Sequence, residues 1–190
     1  MPKSNGHHTF TEAEIAQYQA RHSIGSKARL ALAIGIFTGL RREDATRLGR
    51  GHFRDGVLTI RPKKTETTTA VTVTIPVLPE FQTILDATPA EHLTLLTTER
   101  GKSYNRDAFS HQFREWCTEA GLPKRCTFHG LRKACLTRLA DAGCTPHEIM
   151  AISGHSSLAE VERYTKAADR VRNARAAMAR QSANGSGRAV

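Results

Sequence analysis

The 190-residue chain predicts an α+β fold, mostly helical, with one small three-stranded antiparallel sheet. Three observations carry that expectation. Apolar residues recur at helical spacing through most of the chain, and several of these stretches open on a capping residue and close on glycine. One region only, residues 52–75, alternates with the period of two that a strand requires. The length suffices for one substantial core, and no linker divides it into two large domains.

Taken in order, residues 1–8 are polar and aperiodic, a flexible lead-in. Thr11 followed by Glu14 forms a capping box that opens a helix to about Arg21. A second helix starts after Ser26 and runs to Thr38. It is apolar almost all round, which puts it in the middle of the domain, and Gly39 ends it as a C-cap. Arg41 begins a short helix through about Leu48. His52-Phe53-Arg54, the Asp55-Gly56 turn and Val57 to Arg61 make a hairpin, and Val71 to Ile75 supplies the third strand after a polar reversal containing Lys63 and Lys64. Pro76 and Pro79 bracket the start of a helix to about Ala87. A helix from Asn105 to about Ala120 carries Phe109, Phe113, Trp116 and Cys117 on one face. The next, from about His129 to Ala142, buries Leu131, Ala134, Cys135 and Leu139. Thr145-Pro146 opens a short helix through Ile152, Ser156 or Ser157 caps another bearing Tyr164, and a separate Ala/Arg-rich helix is expected from about Ala168 to Arg180. Residues 181–190 are small and polar, a disordered tail.

Lys and Arg total 28 against 18 Asp and Glu, a net charge of +10. That excess points to a polyanionic partner, most commonly nucleic acid, although charge alone does not separate DNA from RNA or an acidic membrane surface. No apolar run approaches the roughly 20 residues of a membrane span, and the polar N-terminus is no secretory signal, so a cytoplasmic protein is expected. The cysteines at 117, 126, 135 and 144 form no CxxC pair and read as reduced, buried thiols. Cys126 and His129 lack a second ligand pair, and no metal site is expected.

Several residues suit phosphate chemistry. Arginine forks bind two anionic oxygens and keep their charge, and Arg41 and Arg132 both lie at positions able to meet a ligand. Each could equally pair with a carboxylate such as Asp44. His129, one turn before Arg132, falls on the same side of its helix or serves as a cap. His155 sits in a Gly-Ser-rich turn. Tyr164, between Arg163 and Lys166, is either a half-buried packing residue or a nucleophile activated by positive charge. Lys63 and Lys64 are solvated turn residues or phosphate contacts.

The ordered set decides between these readings. Thr38-Gly39-Leu40-Arg41, Lys64-Thr65, His129-Gly130-Leu131-Arg132, Gly154-His155 and Glu162-Arg163-Tyr164-Thr165 occur in one chain. With that order and spacing, the chain resembles the catalytic domain of the tyrosine recombinases of the phage integrase family over about residues 10–180. The stretch Ile152 to Ala167 is similar to the family's C-terminal signature. The resemblance implies that Tyr164 attacks the scissile phosphate to give a 3′-phosphotyrosyl link. Arg41 and Arg132 would hold the non-bridging oxygens, Lys64 would protonate the leaving 5′-oxygen, His129 would accept a proton and contact the phosphate, and His155 would donate a hydrogen bond. Asp44 stands where the family usually has Glu and would orient Arg41; Lys133 stands where many members have His. No ATP, divalent metal or other cofactor is implied.

The implied partners are double-stranded DNA, with Lys63, Arg106, Lys133 and Lys124 as candidate contacts, and other recombinase protomers, assembled as a tetramer in the synapse. The resemblance also implies that the helix from about Ala168 is exchanged between neighbours; the alternative is that it packs on its own domain or is a solvated basic helix. The domain spans residues 9–180, and the helical core-binding domain that precedes it in full-length members is expected to be absent. Two other readings remain: a type IB topoisomerase-like nicking and closing activity, and a non-catalytic DNA-binding module.

Overall fold

The computed structural model describes residues 7–63, 72–89 and 91–185. Eight helices are seen among them: α1 (Glu12–Arg21), α2 (Lys27–Thr38), α3 (Arg42–Arg47), α4 (Pro79–Asp86), α5 (Arg106–Glu119), α6 (Phe128–Asp141), α7 (Pro146–Ser153) and α8 (Leu158–Gly185). The strands β1 (Phe53–Arg54), β2 (Val57–Ile60) and β3 (Val73–Pro76) form one antiparallel sheet in the order β1-β2-β3. The α+β, mostly helical expectation holds.

Local chemistry explains most boundaries. Thr11 and Glu14 exchange the reciprocal bonds of a capping box at the start of α1, and Thr145 with Glu148 does the same for α7. Ser26 caps α2, whose residues Leu30 to Ile34 are all almost completely buried. Each of its larger aliphatic side chains removed from water contributes on the order of 2 kcal/mol. This helix packs against α4 and α6, and an aromatic cluster from α1, α5 and α6 (Tyr18, Phe109, Phe113, Phe128) extends the same core. A second, smaller core of Leu136, Ala140, Ile149 and Val161 ties α6, α7 and α8 together.

Four expectations differ from the structure. The two helices expected after Ser156 are one continuous α8 of 28 residues. Nothing between Tyr164 and Ala168 breaks it: Thr165-Lys166-Ala167 contains neither Gly nor Pro, so the shift to Ala/Arg composition marks no boundary. That helix runs past Gln181 to Gly185, into the segment expected to be a disordered tail, because extending a helix already formed needs no new nucleus. His52 belongs to a one-turn 3-10 helix (Arg50–His52), its Nδ1 accepting from the Gly49 amide, so the first strand starts at Phe53. The third strand begins at Val73; Val71, expected to start it, lies outside the described residues. All four thiols are free, with Cys117, Cys126 and Cys135 buried and Cys144 half-buried.

Candidate active site

The corner between α2 and α3 presents the first arginine. Thr38 Oγ donates back to the Ile34 carbonyl at 2.5 Å and accepts from the Leu40 amide at 3.2 Å. Gly39 caps α2 in the left-handed region, at φ 60°. A side chain there would be strained, and its Cβ would come within 3.2 Å of Cys135 Sγ on α6. The chain thus turns tightly against α6, and Arg41 follows as the N-cap of α3.

Arg132 locks that corner from the other side. It is 3% exposed, and its guanidinium donates to the Gly39 carbonyl at 2.5 Å and the Ser153 carbonyl at 2.9 Å. One arginine therefore holds the turn that delivers the other. Burial first, then the charge of Arg41, lowers the Arg132 pKa to about 10, so it stays cationic near neutral pH. Arg41 is different: its Nη1 is buried, with no hydrogen-bond partner among the described residues. Both line a 450 Å³ cavity together with His129, Arg42, Arg106 and Arg114, a size that admits a small polar group with its flanks.

His129 keeps an open edge to solvent. Partial burial first, then the neighbouring His7, Arg132, Lys133 and Arg163, push its pKa down to about 4. It is neutral near pH 7. His155 reaches the cluster because Gly154 ends α7 in the left-handed region, at φ 63°, where a Cβ would meet Val73 Cγ2 at 2.9 Å. The His155 ring lies against Arg132, with Nη2 3.0 Å from Nε2 and 3.3 Å from Nδ1.

Tyr164 lies in a different place. It sits on the first half of α8, in a groove between α6 and α8 that Lys133, Arg163, Val171 and Arg175 also line. Arg163 Nη2 donates to its hydroxyl at 3.3 Å, and the guanidinium carbon lies 5.0 Å from the ring centroid, a cation–π contact. The two basins adjoin: His129, Arg132 and Lys133 fall at i, i+3 and i+4 of α6 and share one face of it, with His129 and Arg132 lining the arginine cavity and Lys133 the tyrosine groove.

The remaining expected residues fall around these basins. Lys64 lies outside the described residues. Lys63 is exposed, and its amide donates to Asp44 Oδ1 at 2.9 Å. Asp44, expected to orient Arg41, instead fastens the base of the β2–β3 connection; among the described residues no hydrogen bond joins it to Arg41. It is 1% exposed, and burial raises its pKa against the opposing pull of the Lys63 amide, Arg41, Arg47 and Arg132. Arg106 is exposed on the rim, paired with Asp107 at 3.3 Å. Lys133 Nζ donates to the His7 carbonyl at 2.5 Å.

That last bond belongs to a contact the sequence did not signal. Residues expected to be a flexible lead-in are docked at their end: the His7 and His129 ring centroids are 4.5 Å apart, and His8 Nε2 lies 2.7 Å from Glu14 Oε2. His8, Glu14 and Cys126 bring three potential ligand atoms within 4.8 Å. The Glu14 carboxylate is already spent, however, on the Thr11 amide and hydroxyl, His8 and Arg125. Ser153, bonded to His155, was likewise without a motif to announce it.

The model of the phage integrase family matches residues 9–170. Among solved structures, XerA recombinase is similar at a TM-score of 0.71 and 19% identity, over 87% of this chain and 61% of its own. A lambda integrase dimer bound to a COC′ core site is similar at 0.68 and 24% identity, over 86% of this chain and 61% of its own. The Tn1549 transposon integrase in complex with transposon right end DNA gives 0.71 and 19%, over 92% and 67%. The chain thus spans about three-fifths of the first two relatives. At these identities the likeness establishes the fold. No curated protein matches the chain at the level of sequence.

Proposed function

The chain belongs to the phage integrase family, and from that premise we propose that it is the catalytic domain of a site-specific DNA recombinase, cutting and rejoining duplex DNA through a 3′-phosphotyrosyl intermediate. The observation that carries this reading is the buried, unpartnered Nη1 of Arg41 in the same cavity as Arg132 and His129. Among the described residues Arg29 and Arg50 also carry a buried, unbonded nitrogen, but neither lines that cavity, and it is the position of the Arg41 donor beside Arg132 and His129 that calls for a ligand.

In the proposed reaction the Tyr164 oxygen attacks the scissile phosphorus and the bond to the 5′-oxygen breaks. Arg41 and Arg132 bind the non-bridging oxygens, where charge grows in the transition state; one such donor is worth roughly 10²–10³ in rate. His129 is neutral and so free to take the tyrosine proton, and an entering phosphate anion raises its affinity for that proton. His155 donates a hydrogen bond to the phosphate, and Lys64 gives its proton to the leaving 5′-oxygen. Rejoining runs in reverse with a new 5′-hydroxyl, so the bond energy is conserved in the phosphotyrosine. Tyr164 must cross from the α6/α8 groove towards the arginines, a movement along the first turns of α8.

The proposed partners are double-stranded DNA, gripped through Lys63, Arg106, Lys133 and the cavity arginines, and other protomers. One similar lambda integrase structure is a tetramer bound to a Holliday junction, and assembly into a tetramer is proposed here as well. The C-terminal half of α8, exposed along its length from Arg170 to Ser182, is the segment available for exchange. Among the described residues no helix is long and apolar enough to cross a membrane, and a cytoplasmic setting is proposed. DNA affinity should fall steeply with salt as phosphate contacts release counterions.

The test is covalent trapping on nicked duplex DNA carrying a candidate site, without metal, resolved on a denaturing gel. A DNA-linked band lost in Tyr164→Phe is expected. No band, even with a core-binding domain fused ahead, would favour a non-catalytic DNA-binding module. Supercoil relaxation without recombinant product would favour topoisomerase-like nicking and closing.

A further inference from the structure

Ser153 ends α7 with its side chain turned inwards. It is 4% exposed, and its Oγ lies 2.7 Å from His155 Nδ1. Its carbonyl accepts from Arg132 Nη2 at 2.9 Å. The His155 side chain is itself only 8% exposed and faces charged groups from two other elements: Arg132 on α6, with Nη2 3.0 Å from Nε2, and Glu160 on α8, with Oε2 3.6 Å from Nε2. The neighbouring β3 offers only the apolar Val73 against Gly154.

These distances set a conflict in the hydrogen-bond roles of His155. Arg132 Nη2 lies 3.0 Å from Nε2 and 3.3 Å from Nδ1. Arginine only donates, so a bond from it to the nearer Nε2 takes a lone pair there and leaves the ring proton on Nδ1, where Ser153 Oγ, 2.7 Å away, accepts it. To donate to a phosphate oxygen from Nε2, the ring must carry the proton there and leave Nδ1 as an acceptor. A serine hydroxyl is the one neutral group of this size that serves both states, because it accepts from Nδ1–H and, after rotating, donates to a bare Nδ1.

We propose that Ser153 is a positioning residue that lets His155 exchange tautomers, from Nδ1–H when it faces Arg132 to Nε2–H when it faces phosphate. This deepens the recombinase reading and rests on it. On balance one proton arrives at Nε2 from water and one leaves Nδ1 to water, while the serine hydroxyl only rotates. Arg132, released from Nε2, turns its donor to the non-bridging oxygen.

The test reads the tautomer directly, by ¹⁵N chemical shifts of the His155 ring in the full chain, alone and with a duplex of arbitrary sequence at low salt. The wild type should be Nδ1–H alone and Nε2–H on DNA. In Ser153→Ala the duplex should no longer shift the ring to Nε2–H, and covalent-complex formation should slow about tenfold with DNA affinity unchanged. Ser153→Thr, which keeps the hydroxyl, should retain both. Ser153→Cys, matched in volume but a weak donor, should behave as Ala and serves if Ala fails to fold. A His155 tautomer that is the same with and without DNA in the wild type, or that shifts normally in Ser153→Ala, overturns the proposal. Absence of a Tyr164-dependent covalent complex in the wild type would instead count against the recombinase reading, and the ring shifts would still score the serine.

Discussion

The arginine basin and the tyrosine helix, neighbours along α6, are built on different principles. In the basin, Arg132 is buried and bonded to carbonyls from two turns, Gly39 and Ser153, and the glycine caps that make those turns leave no space for alternatives. Helix α8 is anchored only by its first part, through Val161 and the half-buried Tyr164 and Ala168. From Arg170 to Ser182 its side chains are exposed, large apolar ones included, with Val171 53% and Met178 63% exposed. Electrostatic stabilisation works best when it is fixed before the reaction, whereas a nucleophile that must act only on assembled DNA gains from being placed by the assembly. The proposed chemistry therefore divides between a rigid cationic cradle and a mobile nucleophile.

Perturbing the cradle should have the largest effect. Arg132→Met removes the buried donors from the Gly39 and Ser153 carbonyls. We expect a loss of about 3 kcal/mol of stability, since each orphaned buried acceptor costs on the order of 1–3 kcal/mol. For a domain of this size that lowers Tm by about 10 °C, together with complete loss of covalent complex. Calorimetry showing no change in Tm would break the idea that Arg132 holds the corner.

A smaller effect is expected from His129. Its folded pKa, about 4, lies below the model-peptide value of 6.5. Between those values the unfolded chain binds the extra proton, so stability falls as pH drops from about 6.5 towards 4 and the loss levels off below. Glu14, held at about 2, adds its own loss as pH falls through about 4.5, where unfolded glutamates are half protonated. Asp44, raised by burial, acts in the opposite sense as pH falls, so the histidine is read as the difference between the wild type and His129→Gln across the window from 6.5 to 4.5. His129→Gln should flatten the denaturation midpoint across it; an unchanged slope would mean that His129 is not held neutral by its surroundings.

The smallest effect should come from the tyrosine helix. Ending the chain after Arg170 removes a segment whose side chains are exposed at every position from 171 to 182, so Tm should move by no more than about 2 °C, while assembly on DNA, followed by gel-shift stoichiometry, should be lost. A large drop in Tm would show that the end of α8 is part of its own domain's structure and would blur the contrast with the cradle.

Much of this was legible in the sequence for physical reasons that can be named. The caps at Thr11, Ser26, Gly39 and Thr145 act within four residues, so local spacing reveals them. Arg41, His129, Arg132, His155 and Tyr164 stood out because their motifs come as an ordered set. Less legible were contacts made across the fold. Asp44 meets Lys63 nineteen residues on, and His7 lies against His129 from a segment with no periodicity. Ser153 reads as an ordinary helix-ending serine until Gly154 folds His155 back onto it. The unbroken α8 is not legible from composition, because the shift to Ala and Arg after Tyr164 coincides with no helix-breaking residue.

The most direct measurement of the central claim is on Arg41. If its buried, unpartnered nitrogen is held for a phosphate oxygen, the folded protein gains nothing from it, and Arg41→Met, which keeps the aliphatic stem, should leave Tm unchanged or raise it. The same variant should lower covalent-complex formation on nicked DNA by at least about 10²-fold. A variant that loses Tm and keeps its cleavage would make Arg41 a structural residue, and the cradle would have to be placed elsewhere.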